Sequence, residues 1–127
     1  MQVGDTAAWE RNFSEEDVRL FARLSGDQGA HHITADEQGR LMVHGLLTAT
    51  LPTKLGGDMN YIAREMSFEF LRPVFAGETI RCETVITRLE QVEGRLQMSA
   101  TYTCRNQKGK EVLRGSTSGI IRTPIAV

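Results

Sequence analysis

The second half of the sequence alternates apolar and polar residues over long stretches, and this alternation constrains the fold more than any other feature. A two-residue period places successive side chains on opposite faces of an extended chain, so it predicts half-buried β-strands. The predicted strands cover residues 65–70, 80–87, 96–105 and 112–122. Glu93-Gly94 and Lys108-Gly109 separate the last three strands and predict hairpins. The pattern therefore predicts about four antiparallel strands. Each has one apolar face that another part of the protein must cover.

A capped helix is predicted near the N-terminus. Ser14 is a good N-cap, and Asp17 follows three residues later as the acidic half of a capping box. Phe13 and Val18 are spaced as a hydrophobic staple, which fixes the direction in which the chain enters the helix. Gly26 predicts the end of this helix, because glycine favours the left-handed conformation of a helix stop.

A second, apolar helix is predicted in the middle of the chain. Residues 41–51 are almost continuously apolar, which is typical of a buried helix. Pro52 must end this helix, kink it or begin a second short one, because its ring lacks an N–H. Gly56-Gly57 predicts a break. Residues 33–40 are predicted to form a short connection, and residues 4–12 are predicted to form an edge strand.

The order of these elements indicates the fold class. At 127 residues the chain is long enough for one domain, which we expect to cover residues 1–127. An antiparallel sheet with one solvated face needs helices on its other face, and the apolar helix can be enclosed there. We therefore predict an α+β fold, with a curved antiparallel β-sheet wrapped around a central α-helix.

Charge and composition exclude several classes of function. The sequence has 15 Lys and Arg against 16 Asp and Glu, with no block of like charge, so it predicts no nucleic-acid or membrane-binding surface. No apolar run approaches the roughly 20 residues that span a bilayer, and residues 1–5 lack the regions of a secretory signal. Cys82 and Cys104 fall within strands without metal or redox spacing, so we expect reduced core residues of a cytoplasmic protein.

An acid and a base stand close together in the segment that leaves the first helix. Asp27 and His32 are five positions apart, so on one continuous helix their side chains would point roughly 140° apart. They converge only if the backbone turns, and Gly26 and Gly29 permit such a turn. The residues Val43-His44-Gly45-Leu46 open the predicted apolar helix, so an N–H in this first turn, such as that of Gly45, could bind an oxygen that carries negative charge.

Three blocks of sequence resemble the MaoC-like, (R)-specific enoyl-CoA hydratase branch of the hotdog fold. They are Phe-Ala-Arg-Leu-Ser-Gly-Asp at 21–27 with His32, Val-His-Gly-Leu-Leu-Thr-Ala at 43–49, and Phe-Glu-Phe-Leu-Arg-Pro-Val-Phe-Ala-Gly-Glu at 68–78. The resemblance covers nearly the whole chain, and it implies a single MaoC-like hotdog domain. It also implies hydration of trans-2-enoyl thioesters to (R)-3-hydroxyacyl thioesters, or the reverse dehydration.

The resemblance also implies roles for particular residues. Asp27 and His32 take the catalytic positions, and Gly45 takes the position whose backbone N–H binds the thioester carbonyl. Thr53 lies where these hydratases often have a Ser that supports the site. The substrate would be an acyl-CoA or acyl-carrier thioester, the protein would be a homodimer, and no metal or organic cofactor is implied.

The sequence departs from the family signature Ser-Gly-Asp-x-Asn-Pro-x-His at two positions. Gly29 and Ala30 replace Asn and Pro, which removes a side chain expected to brace the acid and the base. An additional imidazole, His31, precedes His32. We expect His31 to face solvent without a role, and His44 to be a structural residue at the start of the helix.

These types of residue suit the hydration of a conjugated thioester. The reaction needs a base for water, a proton for the α-carbon and stabilisation of the enolate oxygen formed between the two steps. A carboxylate and an imidazole that hold one water can supply the first two, and a helix N-terminal amide can supply the third. Two alternatives stay open: a hotdog acyl-CoA thioesterase, in which water attacks the carbonyl, and a non-catalytic subunit that binds acyl thioesters.

Overall fold

The computed structural model describes residues 1–122, and within them five strands form one antiparallel sheet. The strands are Thr6–Asn12 (β1), Tyr61–Phe70 (β2), Thr79–Val92 (β3), Arg95–Arg105 (β4) and Glu111–Ile121 (β5). Their order across the sheet is β1-β3-β4-β5-β2, and every neighbouring pair is antiparallel. The predicted hairpins join β3 to β4 and β4 to β5, and β1 is the predicted edge strand.

Four helices lie in the first half of the chain. They are Glu15–Ser25 (α1), Ala30–Ile33 (α2), Gly45–Thr48 (α3) and Thr50–Asp58 (α4). Helix α4 packs against β1, β2 and β3, and its Leu51 and Leu55 are buried in the main core. The sheet therefore curves around a central helix, which confirms the predicted α+β fold. Within residues 1–122, no helix combines the length and the apolarity needed to cross a membrane.

Helix α1 begins and ends as predicted. The Asp17 N–H donates to Ser14 Oγ at 3.1 Å, and the Ser14 N–H donates to Asp17 Oδ2 at 2.9 Å, which completes the capping box. Gly26 ends the helix with φ 79°, and its N–H donates to the Ala22 carbonyl at 3.0 Å. This stop fixes the point from which the Asp27 segment leaves the helix.

The prediction of one buried helix over residues 41–51 is wrong in its first part. Leu41 to Val43 is extended, because the Val43 N–H donates to the Val74 carbonyl at 2.8 Å and the Ala76 N–H donates to the Leu41 carbonyl at 2.8 Å. Helical structure begins only at Gly45. An apolar run that is buried throughout has no period that separates an extended part from a helical part.

Two further predictions about this region are settled by the structure. Pro52 is the third residue of α4, where helix N–H groups have no partner within the helix, so it begins a second helix rather than ending the first. The predicted break at Gly56-Gly57 is wrong, since α4 continues to Asp58. Gly56 lies against the Tyr61 ring, and a Cβ built on it would be 3.2 Å from Tyr61 Cδ2. The close packing of Gly56 against the Tyr61 ring, and not a turn, explains why a glycine stands at this position.

The two cysteines lie in the core, as predicted, and the structure places them opposite each other. Cys82 in β3 pairs with Cys104 in β4, and both are buried with free thiols. A hydrogen bond with Cys82, together with burial, raises the pKa of Cys104 far above its ordinary value. Cys104 is therefore a poor nucleophile at neutral pH.

Candidate active site

An open cleft of about 580 Å³ brings together three of the four predicted site residues. Asp27, His32 and Gly45 all line it. Its walls come from the end of α1, from α2, from the start of α3 and from residues 70–74, at the end of β2 and directly after it. The convergence of these segments at one cleft depends on the stop at Gly26 and on the extended residues that precede α3.

Asp27 is held by a turn directly after α1. Its N–H donates to Ser25 Oγ at 3.0 Å, and its Oδ1 accepts from the Gly29 N–H at 3.2 Å. The second contact is an Asx turn, in which a side-chain carboxylate replaces a backbone carbonyl. The carboxylate itself is 58% exposed, so its other oxygen remains accessible from the cleft.

His32 is buried beside Asp27, and its protonation can be assigned from its contacts. Its Nδ1 lies 2.8 Å from the Met42 carbonyl, which can only accept, so Nδ1 carries the proton of the neutral ring. Nε2 then presents a lone pair, 3.9 Å from Asp27 Oδ2. At this distance two acceptors face each other without a direct hydrogen bond. Only 5% of His32 is exposed, so the ring has little freedom.

His44 contacts both of these residues from the start of α3. Its Nε2 lies 2.9 Å from the Asp27 carbonyl, so Nε2 carries the proton and donates. Its ring stacks on His32, with centroids 3.7 Å apart and planes 15° apart. The edge of the Phe21 ring faces the His44 ring, with the two centroids 4.9 Å apart. His44 is thus a structural residue, as predicted, but the structure it supports is the Asp27–His32 pair itself.

Gly45 is the first residue of α3, and its N–H is therefore not used by the helix ladder. A Cβ built on Gly45 would lie 2.7 Å from Phe70 Cε1, well inside normal contact distance. Any larger residue would have to displace the Phe70 ring, which is about half exposed. A glycine is needed here because Phe70 approaches the backbone closely.

The chain is similar to known (R)-hydratases and to a MaoC-like dehydratase. No family model matches the chain. The (R)-specific enoyl-CoA hydratase of Rhodospirillum rubrum is 28% identical to it, over 95% of this chain and 88% of that protein. The (R)-hydratase from A. caviae involved in PHA biosynthesis has a TM-score of 0.84 at 28% identity, covering 96% of this chain and 98% of its own. The MaoC-like dehydratase from Rhodospirillum rubrum has a TM-score of 0.77 at 18% identity, covering 98% and 96%.

The chain has the hotdog fold, and it resembles the MaoC-like (R)-hydratases. The resemblance seen in the three sequence blocks is therefore confirmed, and so is the hotdog fold. The three blocks contain most of the residues that line the cleft, among them Asp27, His32 and Gly45.

Thr53 is the predicted site residue that lies away from the cleft. It is exposed on α4, its Oγ1 donates to the Thr50 carbonyl at 2.8 Å, and it does not line the cleft. It lines a separate cavity of about 110 Å³ between α4 and the sheet, next to Met59 and Tyr61. Within one chain, then, Thr53 is not brought together with Asp27 and His32.

The acid and the two inner histidines also need to be considered as metal ligands. Atoms of Asp27, His32 and His44 lie within 4.8 Å of one another. However, the two rings are stacked, so their in-plane lone pairs run side by side and do not point to one centre. One nitrogen of each ring also faces a backbone carbonyl. We therefore assign no metal to this cluster.

Proposed function

We propose that this protein adds water to trans-2-enoyl thioesters to form (R)-3-hydroxyacyl thioesters, or catalyses the reverse dehydration. The observation that carries the proposal is the pair of acceptors in the cleft. Asp27 Oδ2 and His32 Nε2 are 3.9 Å apart, which leaves a position from which one water can donate a hydrogen bond to each. The two proteins that share 28% identity with this chain are (R)-hydratases, which supports the same reaction.

In the proposed mechanism, Asp27 and His32 share the roles of base and proton donor. Asp27 orients the water, and one of the pair removes its proton as the oxygen bonds to the β-carbon of the substrate. The electron pair of the double bond moves toward the carbonyl and forms an enolate. The protonated member of the pair then delivers its proton to the α-carbon. His32 suits either role, because the Met42 carbonyl keeps its Nε2 unprotonated in the neutral ring.

Gly45 would stabilise the enolate oxygen. Its N–H begins α3, which is followed by α4 after a single residue, Ala49, in helical conformation. Amides at a helix start point toward the space before the helix and favour negative charge there. The absence of a side chain lets a thioester carbonyl come close to this N–H. The reaction as proposed uses neither a metal nor an organic cofactor.

The substrate and the assembly follow from the surroundings of the pair. Leu71 and Val74 make much of the cleft wall apolar, which suits an acyl thioester from CoA or a carrier protein. Strand β2 ends the sheet on one side, and Ile62 and Phe70 on it are exposed. Unpaired strand edges invite pairing, so we propose a homodimer that joins two such edges. The cytoplasmic location stays a prediction from sequence.

Loss of the conjugated-enoyl absorbance of crotonyl-CoA tests the proposal. We expect Asp27→Asn and His32→Ala each to lower kcat by at least about 100-fold, as is common for a general base. Asp58→Asn is the matched control, because Asp58 is exposed on α4 and pairs only with Lys54 among the described residues. An (R)-specific 3-hydroxyacyl-CoA dehydrogenase should oxidise the product, which establishes its configuration.

Three results would contradict the proposal. Full activity in the Asp27→Asn, His32→Ala double variant would show that the pair is not catalytic. Release of free thiol without loss of the double bond would indicate a thioesterase. Calorimetric binding of enoyl-CoAs without turnover, across short and long acyl chains, would indicate a non-catalytic binding subunit.

A further inference from the structure

His31, the additional imidazole, packs against His32 and does not stand apart from the site. The centroids of the two rings are 3.9 Å apart, and their planes make an angle of 54°. His44 already stacks on His32 at 3.7 Å. Two rings cannot fill the same volume, so His31 and His44 restrict His32 from different directions. The expectation that His31 faces solvent without a role does not account for this contact, although the residue is exposed on its other side.

Gly29 explains how His31 reaches this position. A Cβ built on Gly29 would lie 3.0 Å from His31 Cε1, and 3.5 Å from both His31 Nδ1 and Asp27 Oδ1. The backbone at Gly29 has φ −53° and ψ 145°, which any residue adopts easily. Conformational freedom is therefore not the reason for a glycine here. The reason is the volume that the His31 ring occupies, directly beside the Asp27 carboxylate.

We propose that His31 is a positioning residue, which holds the His32 imidazole in the orientation that faces Asp27, and that Gly29 is small in order to admit it. The family signature has a side chain at position 29 that is expected to brace the acid and the base. In this chain the brace comes from the ring at position 31. Gly29 and His31 thus act together. A change at either position should alter how the His32 ring is held. The inference rests on the proposed function for its effect on rate.

The test is a double-mutant cycle. His31→Ala removes the contact and should lower kcat between about 10-fold and 100-fold, the range expected when a reacting group is misplaced by up to an ångström. The KM should change less than kcat, since the change concerns the orientation of His32. His31→Phe keeps a planar ring at the contact and should recover most of the rate. Gly29→Ala displaces the His31 ring and should also lower kcat.

Non-additivity is the decisive result. In the His31→Ala background the added methyl of Gly29→Ala meets no ring, so the second change should have no further effect on kcat. Gly57→Ala is the matched control, because a Cβ built on Gly57 meets no atom within 4 Å. Unchanged kcat in His31→Ala, or effects of the two changes that simply multiply, would overturn the inference.

A second measurement separates this inference from the proposed function. The order parameter of the His32 ring Cε1–H, measured by NMR on histidine labelled with carbon-13, reports the restriction directly. We expect it to fall in His31→Ala and to remain high in His31→Phe. If the unchanged protein hydrates no enoyl-CoA, the proposed function fails and this order parameter alone decides the inference. An order parameter that His31→Ala leaves unchanged would overturn it.

Discussion

The contact between His44 and Asp27 leads to a prediction in which stability and activity should change independently. His44→Phe keeps a planar ring that can stack on His32, but it removes the donor to the Asp27 carbonyl, now 2.9 Å from Nε2. Loss of such a hydrogen bond costs about 0.5 to 1.5 kcal/mol of the free energy of unfolding. The same change removes His44 Nδ1, a buried atom without a hydrogen-bond partner among the described residues.

These two effects on stability have opposite signs. A buried unsatisfied polar atom destabilises a protein by about 1 to 3 kcal/mol, so its removal offsets the lost hydrogen bond. We therefore expect the free energy of unfolding of His44→Phe to stay within about 1 kcal/mol of the original value. Activity should nonetheless fall between about 10-fold and 100-fold, because the Asp27 backbone is no longer tied to the element that stacks on His32.

His44→Gln provides the complementary variant. Its amide nitrogen can take the place of Nε2 and donate to the Asp27 carbonyl, while the ring contacts with His32 and Phe21 are lost. Aromatic contacts of this kind contribute about 0.5 to 1.5 kcal/mol, so this variant should be the less stable of the two and the more active. Urea unfolding and crotonyl-CoA hydration measure both quantities. The reasoning is refuted if His44→Phe retains full activity, or if it is destabilised by several kcal/mol.

Two further predictions concern stability away from the cleft. Gly57→Ala should raise the free energy of unfolding in urea by about 0.5 to 1 kcal/mol, because alanine favours a helix interior and its methyl meets open space; Gly56→Ala should give no such gain, since its methyl would be 3.2 Å from the Tyr61 ring. Burial, with a smaller effect of Tyr61, raises the pKa of Tyr102 from 10.0 to about 12. The folded state therefore holds this proton more tightly, so the free energy of unfolding should fall as pH rises from about 10 to about 12. Tyr102→Phe should weaken that fall, which urea titrations across this pH range would show.

Local patterns were enough to predict the frame of the fold. The alternation in β3 to β5 and the Ser14 capping box each depend on residues within one element or one turn. These signals act over a few residues, so they can be recognised before any tertiary contact is known. The family blocks also predicted Asp27, His32 and Gly45, which the structure places at one cleft. Their catalytic roles stay a proposal.

Tertiary contacts decided what the local pattern left open. The apolar run at 41–51 carries no sign that Leu41 to Val43 is extended, because the partner that makes it so is the segment around Val74. Gly56 and Gly57 predicted a break, yet both lie in α4, where Gly56 packs against the Tyr61 ring. In the first case, burial on all sides leaves no polar residues whose spacing would have indicated the element. In the second, the ring that contacts Gly56 comes from the start of β2.

The same division holds for the site itself. The sequence by itself determined which reactive groups are present, since an acid, a base and a glycine at a helix start can be recognised from residue type and spacing. Only the tertiary structure decided how they are held. His44 is 17 positions from Asp27 along the chain, and its hydrogen bond to the Asp27 carbonyl leaves no local pattern. The pairing of Gly29 with His31 follows from the volume of one ring, and a volume is defined only once the chain has folded around it.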